Sequence, residues 1–577
     1  MQIHLHQTHH TLADTADIFA YLEKHFIEKA PTPGIHLLPE LFLTGYPLQD
    51  LCLQRPYIKR FNKLIEDINA LNTDSWDSDS LVLMSGLSYE LEESGLPVKI
   101  KNVIYAWEKG KNLRAVYTKR LLPNYDIFDE EKYFTPGEKP GVLSFGGRTF
   151  ALLICEDMWH SSTHEMDPVK ELYELKENKL EFDAVINLSA SPFHIGKKEK
   201  RLARAKEISR FLEAPFFYVN RVGGEDEVQF DGGSFAVNGS NLLTMGKSFE
   251  SDLLTIDLEK FKGTSLVPEE TMENTWESLF EASLDYEGKL PRLKPLTDED
   301  CFQVFESLKF AFNEYSRKCG FNHFTIALSG GIDSALVLTL VKLSLKEGQS
   351  VEAIYMPSIY SREISWQYSD QLCERLGVKL KSLPIKFFHS VIKNGYRDGF
   401  GTELDGLADE NIQSRLRGAL LYARSNHQNT MVINTSNKSE LAVGYSTLYG
   451  DSVGAISLLG DLYKSEVFRF SEFINERFGE LIPEGIIKRA PSAELREDQE
   501  DEHSLPPYDR LDAILEGFLS YRMDLEELIE AGFDKEEVEN TYQLYSRSEY
   551  KRGQFCPIIK LKPKSFGFGY RVPICKR

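Results

Sequence analysis

Cysteine is scarce in this chain: seven in 577 residues, at positions 52, 155, 301, 319, 373, 556 and 575, with no CxxC pair. An odd, scattered set argues against a disulfide framework and a thiolate zinc site, and implies a reducing compartment, expected to be the cytoplasm. Long apolar runs are missing as well. Nothing approaches the ~18 consecutive apolar residues of a membrane span, so no membrane partner is expected. The opening MQIHLHQTHH lacks a basic stretch followed by an apolar run, which argues against a secretion signal; it reads as a strand. Positive charge is in deficit, 67 Lys and Arg against 89 Asp and Glu, for a formal net charge of −22. Binding to a phosphate backbone needs basic stripes, so no nucleic-acid partner is expected. Internal repeats and low-complexity tracts are also absent.

What is present is ordinary globular sequence, 42% apolar and 27% charged, too long for one hydrophobic core. Strand-like apolar runs at 35–39, 81–84, 150–155, 184–188, 216–219 and 234–237, with helical patterns such as 57–70 and 198–213, outline a first α/β domain over residues 1–262. An acidic, Pro-containing connector follows over 263–299. A second domain, 300–577, opens with a helical pattern that runs through Ser316. There HFTIAL, a Gly-rich turn, a helix, VEAIYMP, a helix over 362–376, KLKSLPI, a helix over 409–425 and TMVINT alternate. That alternation predicts a doubly wound parallel sheet.

Cys155 stands at the end of an apolar strand, in ICEDMW, where the chain must turn sharply. A single cysteine is usually a small buried hydrophobe; a nucleophile needs neighbours that take its proton and favour the thiolate. Two other strand ends offer them. Glu40 closes GIHLLPE, and Lys119 follows AVYT. Alone they would be a solvated carboxylate and a surface lysine.

Together with LPELFLTGYP, YTKRLLPNYDIFDEEKYFTPG, ICEDMW and INLSASPFHIG, they make residues 1–260 resemble the nitrilase superfamily, whose catalytic set is Glu, Lys and Cys in this order. The resemblance implies an α-β-β-α sandwich and a glutaminase. Glu40 is then the general base, Cys155 the nucleophile on the glutamine side-chain carbonyl, and Lys119 the charge that meets the oxyanion. Glu130 corresponds to a supporting glutamate, with its neighbour Glu131 the alternative. Tyr125, Ser191 and Lys197 correspond to glutamine-binding positions. Relatives often carry Arg where this chain has Lys197, which lacks the bidentate fork.

Residues 329–334, SGGIDS, follow a strand and open a helix. The glycines allow close backbone approach to an anion, the helix start offers free N–H groups, and Ser329 and Ser334 add hydroxyls. Asp333 could hold Mg²⁺ against a pyrophosphate. No Gly-Lys-Ser/Thr follows, so this is not a Walker A loop.

The loop is similar to the SGGxDS loop of ATP pyrophosphatases, which cleave ATP between the α and β phosphates. Leu328, Ser329, Gly330, Gly331, Ile332, Asp333 and Ser334 are its ATP-binding positions. ENIQSRLRGALLYA, INTSNKSELAVGYSTLYGD, GDLYKSEVF, RAPSAELREDQEDE and EYKRGQF resemble the synthetase domain of glutamine-dependent NAD synthetases across 300–577. By that resemblance Thr435, Lys464 and Ser492 contact ATP, and Asn411, Glu440, Tyr445, Ser446 and Lys551 contact deamido-NAD. Asp333 and Glu440 are the metal positions. The helix over 409–425 is expected to bury Ile412, Leu416, Ala419 and Ala423 on one face, leaving Asn411 and Arg415 to face a ligand. FGFGYRVPI departs from the more basic ending of relatives, and Arg571 receives no role.

The function implied is a carbon–nitrogen ligase. Deamido-NAD is adenylated by ATP and amidated to NAD with ammonia from glutamine, releasing AMP, pyrophosphate and glutamate. ATP is the co-substrate, Mg²⁺ the metal, and a homo-oligomer is expected. The alternatives are another glutamine-dependent ATP-pyrophosphatase amidotransferase, a plain carbon–nitrogen hydrolase with a degenerate second domain, and a tRNA-modifying enzyme, which the charge disfavours.

Overall fold

The computed structural model describes residues 1–159, 165–261, 284–285, 291–497 and 505–575. The connector expected over 263–299 lies mostly outside the described residues. The chain divides into two compact units, Met1–Glu225 with Gln229–Glu281, and Asp226–Val228 with Ala282–Arg577.

The first unit contains two six-stranded sheets. One runs in the order Asp252–Asp257, Gln2–Gln7, Gly34–Leu37, Ser80–Leu91, Pro97–Glu108, Arg114–Thr118. The other runs Asn241–Met245, Phe235–Asn238, Phe216–Asn220, Ala184–Ser189, Arg148–Ile154, Val142–Phe145. Alternate residues of a strand face opposite sides of its sheet. Ile3, Leu5, Leu37 and Leu83 of the first sheet accordingly meet Phe150, Leu152, Ile154, Ile186 and Phe217 of the second in one dry cluster. The intervening Leu153, Val185, Phe216 and Tyr218 face the other way, toward helices Pro168–Glu177 and Lys197–Phe211. On the far face of the first sheet, Trp107 packs on Trp76 and Phe26, and the Trp76 indole N–H donates to the Phe26 carbonyl at 2.6 Å. Helices Thr15–Leu22 and Arg55–Asn69 cover that side. This is the α-β-β-α sandwich.

The second unit carries a five-stranded parallel sheet in the order Leu380–Ser382, Ser350–Tyr355, His323–Leu328, Met431–Asn434, Ile456–Ser457. The chain winds outward from His323–Leu328 through two strands, then returns to its other side with Met431–Asn434. The strand ends at such a reversal form a crevice, and SGGIDS lies there. The opening helix runs Asp298–Cys319, started by a reciprocal Thr297–Asp300 cap and ended by Gly320 in the left-handed conformation. No helix of the described residues is long and apolar enough to cross a membrane.

Three features depart from the sequence reading. The strand read over 81–84 continues to Leu91 and pairs along its length with Pro97–Glu108, although its far end is exposed and carries no apolar run. A helix over Lys386–Phe400 carries its apolar residues on the exposed side, so no core-facing stripe announced it. The helix read over 409–425 spans Gly406–Gln428, and the face expected to be buried is not. Ala419 and Ala423 are exposed, while Gln413, Ser414, Gly418 and Leu421 are buried. Close approach decides this. A Cβ on Gly418 would come within 2.6 Å of the Tyr449 carbonyl, and Ser414 Oγ accepts the Asp451 N–H at 2.9 Å. Small and polar residues therefore occupy the inner face.

Candidate active sites

Cys155 ends the strand Arg148–Ile154 with φ of 43°, a left-handed conformation that costs a non-glycine residue about 1–3 kcal/mol. Asn187 clamps it, accepting the Cys155 N–H at 2.8 Å. Asp157 clamps the turn from the other side, accepting the N–H groups of Ile154, Arg120 and Leu121 and the Tyr117 hydroxyl. One carboxylate thus joins the cysteine turn to the segment that carries Lys119.

Lys119 donates at 2.8 Å both to Oε1 of Glu40 and to Oε1 of Glu130. Asn102 Nδ2 and the Ala190 N–H hold the two oxygens of Glu40 at 2.8 and 2.9 Å, while Tyr46 donates to Glu130 Oε1 at 2.9 Å. All of these side chains are buried. Glu131, the alternative to Glu130, is exposed and accepts from Asn124. Burial raises the Cys155 thiol well above its usual range, and the Glu40 charge adds to this while Lys119 opposes it. The resting group is therefore a thiol, and a nucleophilic role would require a base. Burial works against the Lys119 charge, but Glu130 and Glu40 outweigh it and hold the lysine cationic. Glu130 is pushed up to about 7 by burial, against the pull of Lys119, and its Oε2 has no partner among the described atoms.

Tyr125 donates to both oxygens of Glu156 at 3.1 and 3.0 Å. Burial pushes Glu156 up to about 7, with Lys119 and Lys197 opposing. Lys197 is drawn down to about 8 by burial and the Arg201 charge, and its ammonium lies 4.8 Å from the centre of the Trp159 ring. Tyr125 and Lys197 therefore converge on Glu156, which the sequence reading passed over although it directly follows Cys155. Ser191 is engaged elsewhere: its Oγ accepts from Arg201 Nε at 3.1 Å, and Arg201 pairs with Asp231.

In the second unit a cavity of about 260 Å³ opens beside SGGIDS. Leu328, Ser329, Gly331, Ile332, Asp333 and Ser334 line it, with Thr435, Glu440, Tyr445, Lys464 and Ser492. Gly330 does not. Its φ is +82° and a Cβ there would strike the Ser365 carbonyl oxygen at 2.5 Å, so this glycine sets how closely the loop lies on the helix Glu363–Leu376. Ser329 and Ser334 bond each other and the loop backbone, which preforms it.

Asp333 Oδ2 accepts from Lys464 at 2.5 Å, Asp333 Oδ1 accepts from Asn437 at 2.9 Å, and Glu440 lies 3.5 Å from the same Lys464 ammonium. No cluster of three or more His, Cys, Asp or Glu poised for a metal occurs among the described residues. Two carboxylates converging on one cation do suit Mg²⁺, which is commonly held by one or two carboxylates with substrate phosphates.

Asn411, Ser446 and Lys551 stand off the cavity wall. Lys551 donates to the carbonyls of Gly444 and Ser446 at 2.7 and 2.6 Å, and Asn411 accepts from the Thr447 hydroxyl at 2.7 Å. These residues hold the loop that brings Tyr445 to the cavity. Arg417, Arg489, Glu494 and Asp451 also line it and were not singled out, although all four lie in segments carrying the family resemblance.

Residues 304–555 match the NAD synthase family. The chain is 34% identical over 552 residues to the glutamine-dependent NAD(+) synthetase of Acinetobacter baylyi, covering 95% of this chain and 93% of that one. The Thermotoga maritima enzyme of the same name is also 34% identical, with coverages of 94% and 92%. Among solved structures, the glutamine-dependent NAD+ synthetase of Acinetobacter baumannii in complex with ADP aligns with a TM-score of 0.69 at 30% identity, over 99% of this chain and 98% of that one. A synthetase from Cytophaga hutchinsonii shares the fold, with a TM-score of 0.78 at 18% identity over 100% and 98% of the two chains. With both sites drawn on one chain and these likenesses spanning nearly all of it, the protein belongs to the glutamine-dependent NAD(+) synthetases.

Proposed function

We infer that this chain converts deamido-NAD to NAD, using ATP and ammonia released from glutamine, with residues 1–262 as the glutaminase and 300–577 as the synthetase. The observation that carries the reading is the presence on one chain of the Lys119–Glu40–Glu130 group near Cys155 and of a cavity where Asp333, Glu440 and Lys464 converge beside SGGIDS.

In the glutaminase, Glu40 takes the Cys155 proton as sulfur bonds to the glutamine amide carbon. Lys119, fixed between two carboxylates, faces the oxyanion. Collapse of this intermediate, with the proton delivered to nitrogen, releases ammonia and leaves a thioester. Water then attacks the thioester with Glu40 again as base, giving glutamate and restoring the thiol. Tyr125 and Glu156 suit the substrate α-amino end, and Lys197 its carboxylate.

In the synthetase, the nicotinate carboxylate of deamido-NAD attacks the α-phosphorus of ATP, and pyrophosphate leaves toward the loop N–H groups and Lys464. Ammonia then attacks the adenylate carbonyl, AMP departs, and the amide of NAD remains. Mg²⁺ held by Asp333 and Glu440 would offset charge on the departing pyrophosphate. The helix Lys386–Phe400 and the start of its neighbour expose Phe387, Val391, Phe400 and Leu407, each about 70% or more accessible, a face suited to a second copy in a homo-oligomer.

The test is direct. The purified chain with deamido-NAD, ATP, Mg²⁺ and glutamine should form NAD, AMP and glutamate in equal amounts; glutamate without AMP would leave only a hydrolase.

A further inference from the structure

Asp512 is fully buried on the helix Tyr508–Glu516 and belongs to neither set of residues assigned above. Its two oxygens reach the starts of two other helices. Oδ1 accepts from the Ser439 hydroxyl at 2.5 Å. Oδ2 accepts from the Ser465 N–H at 2.9 Å and from the Ser465 hydroxyl at 2.7 Å. Ser439 Oγ in turn accepts the Lys464 N–H at 2.9 Å.

Ser439 immediately precedes Glu440 on the helix Lys438–Val443, and Ser465 immediately follows Lys464 on the helix Lys464–Phe478. One carboxylate therefore holds the Ser439 hydroxyl beside Glu440 and the Ser465 N–H and hydroxyl beside Lys464, whose ammonium meets both Glu440 and Asp333. Burying a carboxylate without a paired cation is costly, and an apolar side chain would join three helices at less cost. A carboxylate is suited here for another reason: it can accept from three donors at once and so fixes direction as well as contact.

We propose that Asp512 is a positioning residue for adenylation, setting the placement of Lys464 and Glu440 against Asp333 through Ser439 and Ser465. This rests on reading the cavity as the ATP site. ATP would still bind to the remaining wall of the cavity without this grip, but the charges that meet the departing pyrophosphate would be misplaced. Misplacement by about 1 Å can cost on the order of a hundredfold in rate. The effect belongs on kcat more than on KM.

The experiment uses the full chain with ammonium as nitrogen donor and follows AMP formation while ATP is varied. Asp512→Asn, which loses one acceptor oxygen, should lower kcat about tenfold or more with KM for ATP changed less than about threefold. Because that variant could fold poorly, Ser439 supplies a second comparison. Ser439→Ala should lower kcat in the same way, while Ser439→Thr, which keeps the hydroxyl, should stay within about threefold of wild type. A well-folded Asp512→Asn at wild-type kcat, or equal losses in Ser439→Ala and Ser439→Thr, overturns the proposal. Absence of AMP formation by the wild-type chain would instead remove the adenylation reading, and the proposal with it.

Discussion

The ammonium of Lys119 lies 2.8 Å from Oε1 of Glu130, and the two side chains are 1% and 4% exposed. Glu130 is pushed up to about 7 by burial, so its carboxyl changes charge across neutral pH while Lys119 stays cationic. Glutamine hydrolysis should therefore carry an ionisation near pH 7. Glu130→Gln keeps an oxygen for Lys119 and Tyr46 but cannot titrate, and should remove that ionisation while lowering kcat about tenfold or more. The check is kcat against pH for wild type, Glu130→Gln and Glu156→Gln. An ionisation kept in the first variant and lost in the second would transfer it to Glu156, whose carboxyl is also pushed up to about 7.

Lys197 is drawn down to about 8 by burial and by Arg201. A cation with that value is lost as pH rises through about 8, and with it the partner proposed for the glutamine carboxylate. KM for glutamine should therefore climb on the alkaline side in wild type. Lys197→Arg stays charged there and offers two parallel donors, so its KM should remain flat. Parallel alkaline rises in both proteins would take Lys197 out of substrate binding.

Five histidines of the first unit are held toward their neutral forms. His36 Nε2 faces the Thr32 carbonyl at 2.9 Å and so carries hydrogen, leaving Nδ1 to accept from His6 Nε2 at 2.9 Å. His6 Nδ1 then accepts from the Tyr21 hydroxyl at 2.9 Å. A further proton on His36 Nδ1 would face the His6 N–H. Burial lowers His36 to about 4, lowers His6 well below its usual value with help from His36, His4 and His25, and lowers His4, His10 and His25 as well. The unfolded chain takes up these protons first, so stability is intact above pH 6.5 and declines as pH falls toward about 4. For His36 alone the loss is about 3 kcal/mol at the acid end. Thermal unfolding of the first unit should shift to lower temperature as pH drops from about 7 to about 5, and His36→Gln should blunt the shift. An unfolding midpoint indifferent to pH over that span would contradict this account.

Much of the candidate sites was legible because their residues sit at strand ends in contiguous blocks. Cys155 follows an apolar strand, and SGGIDS combines two glycines, two hydroxyls and a carboxylate within six residues. The supports were not legible, because their partners are remote in sequence. Asn102 reaches Glu40 across 62 residues, Tyr46 reaches Glu130 across 84, and Asp512 reaches Ser439 across 73. Apolar periodicity also misled where a helix packs through small and polar residues. Gly418 and Ser414 face inward because the Tyr449–Asp451 backbone comes close, and spacing alone cannot reveal that approach.

The division of labour between the two sites is tested most directly by Cys155→Ala assayed with each nitrogen donor in turn. Cys155 is buried among Glu40, Lys119 and Glu130, and Ala retains the strand-end packing while removing the sulfur. NAD formation from glutamine should fall to background, while formation from ammonium should stay within about twofold of wild type. A folded Cys155→Ala protein that still makes NAD from glutamine, or that loses synthesis with ammonium as well, would contradict the account.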